Sequence, residues 1–322
     1  MKYSVVTPLW QDRPASDNLE VAITADRLKF PELWIGEMAT YDAFAFATAA
    51  GLRTEQIDLN VGPMAVSVRT PLTLAMGVAS VADLTGRKVN LALGTSSKVV
   101  VEEWHGRSRS HTATHLAECA QIVRGLLAGE KVDFSGSCCS CRGYHLRLEA
   151  PRSELAIAAF GPAAVDVAAH HADRMLVNML DPDSAARLRQ QVDEAAACAG
   201  RPSPKLSLWI ACAVDPGPEA VHQMLRSKVG YLSAPGYSEM FTSAGFGELV
   251  DYARARPHPK ELLAAMPDEL VSAIGLVGSE AEIDQRIEAY RAAGVDELCL
   301  VPATAGDPGA QKTLKFMSRR LG

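Results

Sequence analysis

Short apolar runs recur along this chain. Each is followed by a turn and then by a stretch whose apolar residues return at helical spacing. The runs Tyr3 to Pro8, Leu33 to Gly36, Ile57 to Pro63, Val89 to Leu93, Leu155 to Ala159, Met175 to Val177, Leu206 to Val214 and Glu297 to Pro302 predict eight strands. Helices are predicted between them, over Ser16 to Lys29, Ala43 to Leu52, Pro71 to Leu84, Thr112 to Leu127, Pro162 to His171, Asp183 to Ala199, Pro218 to Leu232 and Ser279 to Ala293, with a last one from Asp307 to Arg320. Ser279 with Glu282 three residues on reads as a capping box. Asp183 or Asp181 caps the long sixth helix.

Strands that alternate with helices form a parallel sheet covered by helices. Eight of them favour a closed (β/α)8 TIM barrel over an open doubly wound sheet, and no Gly-x-Gly-x-x-Gly follows the first strand. The whole chain, 1–322, reads as one barrel domain with two insertions. The first, about 131–148, follows strand four and its helix and reads as a hairpin turning at Ser135-Gly136-Ser137. The second, about 233–267, follows strand seven and has no clear period. A long excursion of that kind is usually functional or disordered.

Composition narrows the function. The net charge is −6 with no basic block, which argues against a nucleic-acid or anionic-membrane partner. The apolar stretch Thr70 to Ala82 is too short to span a bilayer. The N-terminus reads as a strand, not a signal peptide, and the seven cysteines form no disulfide framework, so a cytoplasmic chain is expected. Cys138, Cys139 and Cys141 lack metal-ligand spacing, and no metal site is expected.

In a barrel the chemistry sits after the carboxyl ends of the strands. Those ends here carry Thr7, Gly36-Glu37, Gly62 to Ala65, Gly94-Thr95-Ser96-Ser97, Phe160-Gly161-Pro162-Ala163 and Asn178. Glycines and small polar groups dominate, which suits a broad planar ligand lying against backbone. Gly161-Pro162-Ala163 opens a helix, where free N–H groups favour a phosphate, although Gly-Pro also makes an ordinary tight turn. Thr95, Ser96 and Ser97 offer hydroxyls to the same phosphate or simply cap the loop. Glu37 is a candidate acid or base, or else the structural partner of an arginine. His105 is a candidate proton donor on the loop after strand four, where a histidine is more often just solvated.

Five segments resemble the bacterial luciferase-like oxidoreductases, barrels that bind FMN or the deazaflavin coenzyme F420. They are Asp26-Arg27-Leu28-Lys29-Phe30-Pro31-Glu32-Leu33-Trp34-Ile35-Gly36-Glu37; Gly62 through Arg69-Thr70-Pro71; Leu84-Thr85-Gly86-Arg87-Lys88-Val89 to Leu93-Gly94-Thr95-Ser96; Phe160-Gly161-Pro162-Ala163-Ala164 followed by His171-Ala172-Asp173-Arg174; and Ala292-Ala293-Gly294-Val295-Asp296-Glu297. In order, they cover nearly the whole chain. The resemblance implies a ring over the barrel mouth, buttressed by a bulge near Met64-Ala65 that often holds a cis peptide. It implies a phosphate held by Gly161, Pro162 and Ala163 with Ser96 or Ser97 beside them, and Asn178 near the ring edge or phosphate. Where many deazaflavin members follow the strand-two acid with histidines, this chain has Met38-Ala39, and Ser97 stands where an acid is often found. The deazaflavin branch fits better, with Lys98, Arg107 and Arg109 near the strand-four end for its anionic tail. The implied reaction is hydride transfer between coenzyme F420 and a small organic substrate. The alternatives are an FMN monooxygenase using oxygen and a non-catalytic flavin-binding protein. The resemblance also implies a homodimer through the second and third helices.

Overall fold

A computed structural model describes residues 1–8, 10 and 12–321. Its strands are β1 (Lys2–Val6), β2 (Glu32–Ile35), β3 (Asp58–Ala65), β4 (Val89–Gly94), β5 (Val132–Ser135), β6 (Ser140–Tyr144), β7 (Leu155–Ala158), β8 (Arg174–Asn178), β9 (Lys205–Val214), β10 (Leu276–Gly278) and β11 (Glu297–Pro302). Eight of these close a parallel barrel in the order β1-β2-β3-β4-β7-β8-β9-β11, with β11 returning to β1. These are the eight strands expected from the apolar runs. Period 2 in each strand sends one set of side chains into the lumen and the other out against the helices.

The lumen is layered. At the amino ends of the strands lies a buried ionic network. Arg174 at the start of β8 donates to Glu32 (2.6 and 2.9 Å) at the start of β2, to Glu297 (3.3 Å) at the start of β11 and to Glu154 (2.6 Å). Lys2 at the start of β1 reaches Glu32 at 2.5 Å. Ser4 and Ser207 donate to Glu297, and Asn60 donates to Glu32. Burial alone would raise the carboxyl of Glu32, but Arg174 and Lys2 outweigh it and hold the group at about 2. Above this network sits an apolar layer of Val6, Trp34, Ala92, Ala156, Leu176 and Cys299, topped by Ala158, Trp209 and Val301.

The first insertion is the expected hairpin, β5 against β6. Its turn is tied to the helix Thr112–Leu127 by Glu118, whose carboxylate accepts the N–H groups of Ser137, Cys138 and Cys139 at 2.7–2.8 Å. Among the described residues, no group of three or more His, Cys, Asp or Glu is placed to hold a metal. Nor is any described helix long and apolar enough to cross a membrane.

The second insertion departs from expectation. Rather than irregular chain, it holds short helices at Tyr237–Phe241, Gly247–Arg254 and Pro259–Ala264, with another at Glu269–Ala273 just beyond its expected end. Each is only a few turns at most, broken by Gly236, Gly245, Pro257 and Pro259, and too short for a helical period to show in the sequence. The insertion ends in β10, which pairs with the top of β9 (Leu276 with Cys212), an edge strand too short to read from the sequence.

Candidate functional site

The carboxyl ends of the barrel strands form a mouth with an unusual floor. β3 and β4 are in register up to Val61 with Leu91 and again from Met64 with Leu93, so the bulge lies at Gly62-Pro63. This corrects the expected position at Met64-Ala65 by two residues. The bond between Gly62 and Pro63 is cis. Gly62 takes φ +118°, and a Cβ there would stand 2.3 Å from the carbonyl oxygen of Ala92. Glycine is therefore required, because the backbone crosses the neighbouring strand too closely for a side chain. Met64 is fully buried behind the bulge, and Ala65 is half-buried at the end of the strand. Gly94 lies beside the bulge, its ideal Cβ position 3.2 Å from Pro63. Thr7 is buried and donates to the carbonyl of Trp34, so it secures β1 to β2.

Two strands round from β3, β7 leads through Phe160 into the helix Pro162–His171. Gly161, Pro162 and Ala163 are exposed, and nothing lies within 4 Å of a Cβ built on Gly161. Pro162 has no N–H, and the Ala164 N–H bonds the Gly161 carbonyl at 3.0 Å, but the N–H groups of Gly161 and Ala163 have no acceptor among the described residues, so this turn is open to an anion. The second insertion packs against its edge. The Phe160 ring lies 4.6 Å from Tyr237, and Tyr237 lies 4.9 Å from Tyr231. Burial raises the Tyr237 phenol, and so does Tyr231, while a hydrogen bond with Asn178 at the end of β8 pulls the other way. Gly236, at φ +85°, lets the chain pass over Phe160, where a Cβ would come within 2.6 Å of the ring. Asn178 is thus joined to the insertion.

Glu37 is held by an arginine. Arg69 donates to both its carboxylate oxygens, and the N–H of Ala43 donates to it at 3.2 Å. Arg69 also pairs with Asp42, which caps the helix Ala43–Arg53. Burial pushes the Asp42 carboxyl up, but the Ala45 N–H, Arg69 and the Phe44 N–H together hold it below the usual range. The arginine-partner reading of Glu37 is the one that this geometry matches. After β4, Ser97 accepts from the N–H of Val100 and so caps a wide helical turn, Val99–Trp104. Arg109 donates to the Ser96 carbonyl at 2.9 Å and to the Thr95 hydroxyl at 3.4 Å, and Ser96 stands at φ +55°. His105 follows Trp104 and is exposed.

Several mouth residues were not singled out from the sequence. Asp42 carries a local signal, a capping aspartate before an alanine-rich helix. Arg69 lies in a segment that resembles the family, with no role read for it there, and Tyr231 and Tyr237 carry no role in the sequence, since only the folded chain brings all three to their partners. Trp209, in β9, lies edge-on to Trp34 with ring centroids 6.1 Å apart. Its indole N–H is buried with no acceptor among the described residues. An orphaned donor at the top of the lumen, an open helix N-terminus and a bulge without a side chain together fit a flat ligand with a phosphate and carbonyl acceptors.

Known proteins place this geometry. A coenzyme F420-dependent tetrahydromethanopterin reductase from Methanopyrus kandleri superposes with a TM-score of 0.85 at 17% identity, over 99% of this chain and 98% of its own. The FMN complex of the oxygenating constituent of 3,6-diketocamphane monooxygenase from Pseudomonas putida superposes with a TM-score of 0.72 at 19% identity, over 99% and 97%. In sequence, a Mycobacterium tuberculosis protein provisionally assigned as a coenzyme F420-dependent oxidoreductase is 22% identical, over 95% of this chain and 96% of its own. The family described as luciferase-like monooxygenase matches residues 1–297. This chain belongs to that luciferase-like family.

Proposed function

We propose that this chain is a coenzyme F420-dependent oxidoreductase that transfers a hydride between the deazaflavin and a small organic substrate. The observation that carries the reading is the open Gly161 turn on the same rim as the Gly62-Pro63 bulge, with β4 between them. The F420-dependent descriptions of near full-length relatives support the deazaflavin over FMN. Gly161 and Ala163 would hold the phosphate by their N–H groups, with Ser96 and Ser97 on the neighbouring loop. Gly62, Pro63, Met64 and Gly94 would support one face of the ring. When bound, the deazaflavin supplies the hydride and reacts poorly with oxygen.

The protein's own part is binding and orientation. The bulge and the small residues of β4 and β7 leave room for a ring. The Trp209 N–H offers a hydrogen bond. The ionic network at the far end keeps bulk water from entering the lumen from below. Glu37, locked by Arg69 and Asp42, orders the β2 and β3 ends rather than carrying a proton. His105, exposed beside the mouth, remains the candidate proton donor.

Titrating the purified chain separately with F420 and FMN, followed by fluorescence, tests the reading. Tight F420 binding with weak FMN binding is expected. The reverse would make the chain a monooxygenase candidate, as would oxygen uptake with reduced FMN. Tight binding without turnover of any acceptor would favour a flavin-binding protein. Gly161→Asp is expected to weaken the preferred cofactor by about 10- to 100-fold, since a carboxylate at the helix N-terminus would repel the phosphate. Unchanged affinity would remove Gly161 from the site.

The proposed partner is a second copy of this chain. Leu52, Met76 and Leu84 are 65%, 48% and 61% exposed on the helices Ala43–Arg53 and Pro71–Thr85. Analytical ultracentrifugation is expected to give twice the chain mass, and Met76→Glu with Leu84→Glu to give the single mass. A wild-type monomer would overturn the proposal.

A further inference from the structure

The segment from Gly217 to Ser243 is fastened to opposite sides of the mouth. On the β1 and β11 side, Gln223 accepts the N–H groups of Thr304 and Ala305 at 2.9 and 3.1 Å and donates to Asp12 at 3.3 Å. On the β7 and β8 side, Tyr237 packs on Phe160 and bonds Asn178, and Arg187 reaches Ser243 at 3.4 Å. The segment therefore roofs this part of the mouth. Between the two fastenings, at the end of the helix Pro218–Lys228, lies Lys228.

Lys228 is only 4% exposed. Its ammonium has one hydrogen-bond partner among the described residues, the Ser227 hydroxyl at 3.2 Å, which itself donates to the Met224 carbonyl. No carboxylate among the described residues pairs with it. Buried lysines almost always carry a counter-charge, because an unpaired ammonium in low dielectric is costly. Two further buried groups have no partner among the described residues: the Thr304 hydroxyl, in the loop that Gln223 holds, and the Trp209 indole N–H in β9, which pairs with β11. Burial alone lowers the Lys228 ammonium to about 8, so it is still mostly protonated at neutral pH.

We propose that Lys228 is the counter-ion of a substrate subsite under this roof, and that the subsite takes an organic monocarboxylate. The inference rests on the oxidoreductase reading and adds a substrate class to it. One lysine balances one negative charge, which suits a carboxylate better than a phosphate dianion. Leu232, Met240 and Phe241, later in the same segment, are buried and apolar, which suits an aliphatic or aromatic body on that carboxylate. Before substrate binds, the lysine is unpaired and its burial works against the fold. The carboxylate relieves that, so binding and stability are linked.

Sodium acetate and acetamide, the neutral isostere, are the probes, at neutral pH and fixed ionic strength. Acetate is expected to raise the melting temperature of the wild type, and acetamide is not. Lys228→Met is expected to melt higher than wild type without ligand and to bind acetate about tenfold more weakly or worse, as for the loss of one charge-assisted hydrogen bond. Lys228→Gln separates loss of charge from loss of side-chain bulk and is expected to lose the acetate response too. A wild type that does not respond to acetate, or a Lys228→Met variant that responds equally, overturns the proposal. F420 titration of both variants is expected to match wild type. A loss of F420 affinity there would assign the lysine to the cofactor instead and overturn the substrate assignment. A wild type that binds acetate through Lys228 but neither F420 nor FMN would overturn the oxidoreductase reading and leave the anion site standing.

Discussion

Arg174→Met is expected to destabilise the barrel by about 3–5 kcal/mol, the loss typical when one partner of a buried ion network is removed. The methionine fills much of the same space, so little of the loss comes from a cavity. The cost comes from Glu32 and Glu297, which keep their burial and lose their main cation, leaving Lys2 alone to face both. Urea denaturation measures it directly. The pH dependence gives a second reading. Glu32 lies at about 2 in the folded chain against 4.5 for the free group. A depressed carboxylate contributes stability above its unfolded value and loses it as pH falls through its folded one. The wild type should therefore lose about 3 kcal/mol from this group between about pH 4.5 and 2. In the variant Glu32 loses the cation that does most to hold it ionised, so mild acid should narrow the gap to wild type. A variant as stable as wild type at neutral pH would show that the network adds no net stability.

Gly62→Ala is expected to cost about 2–4 kcal/mol of stability and, with it, most of the cofactor affinity. The backbone at φ +118° disfavours any side chain, and the new methyl would meet the Ala92 carbonyl oxygen at 2.3 Å. That oxygen belongs to β4 and has little room to give, so the bulge must move. It can move only toward the mouth or along β3, and either shifts Pro63 and Met64 from the face proposed to support the ring. Thermal melting and the fluorescence titration read the two effects separately. Normal melting with unchanged cofactor binding would show that the bulge does not position the ring.

The barrel was legible in the sequence because each strand is a compact apolar run with its own turn signals. Leu206 to Val214 and Glu297 to Pro302 are found where the sequence places them, give or take one residue. Helix ends marked by side chains were also legible. Ser279 and Glu282 bond reciprocally, and Asp181 caps the helix Pro182–Cys198. The open turn at Gly161 could be read for the same reason, since Gly-Pro at a strand's end is a local signal. The charged groups of the mouth were harder. Glu37 stood out as a carboxyl in apolar surroundings, but the Arg69 that fixes it is 32 residues away in sequence, and only the fold brings them together. Lys228 was invisible because a lysine on a predicted helix looks solvated. Only the fold shows it buried. The bulge was expected, but two residues late, because Gly62 marks it by a close approach that only the neighbouring strand reveals.

The salt-bridged floor built around Arg174 and the apolar layer above it fill the lumen, so nothing bound at the mouth can leave through the barrel. On the proposed function, substrate and product would then come and go on the mouth side, past the Gly217 to Ser243 span. Met38, Tyr41, Val99 and Trp104 are exposed on the β2 and β4 side of that mouth. A product must clear this doorway before the next substrate can pass. Its departure, more than the chemistry within, would then set the pace of turnover.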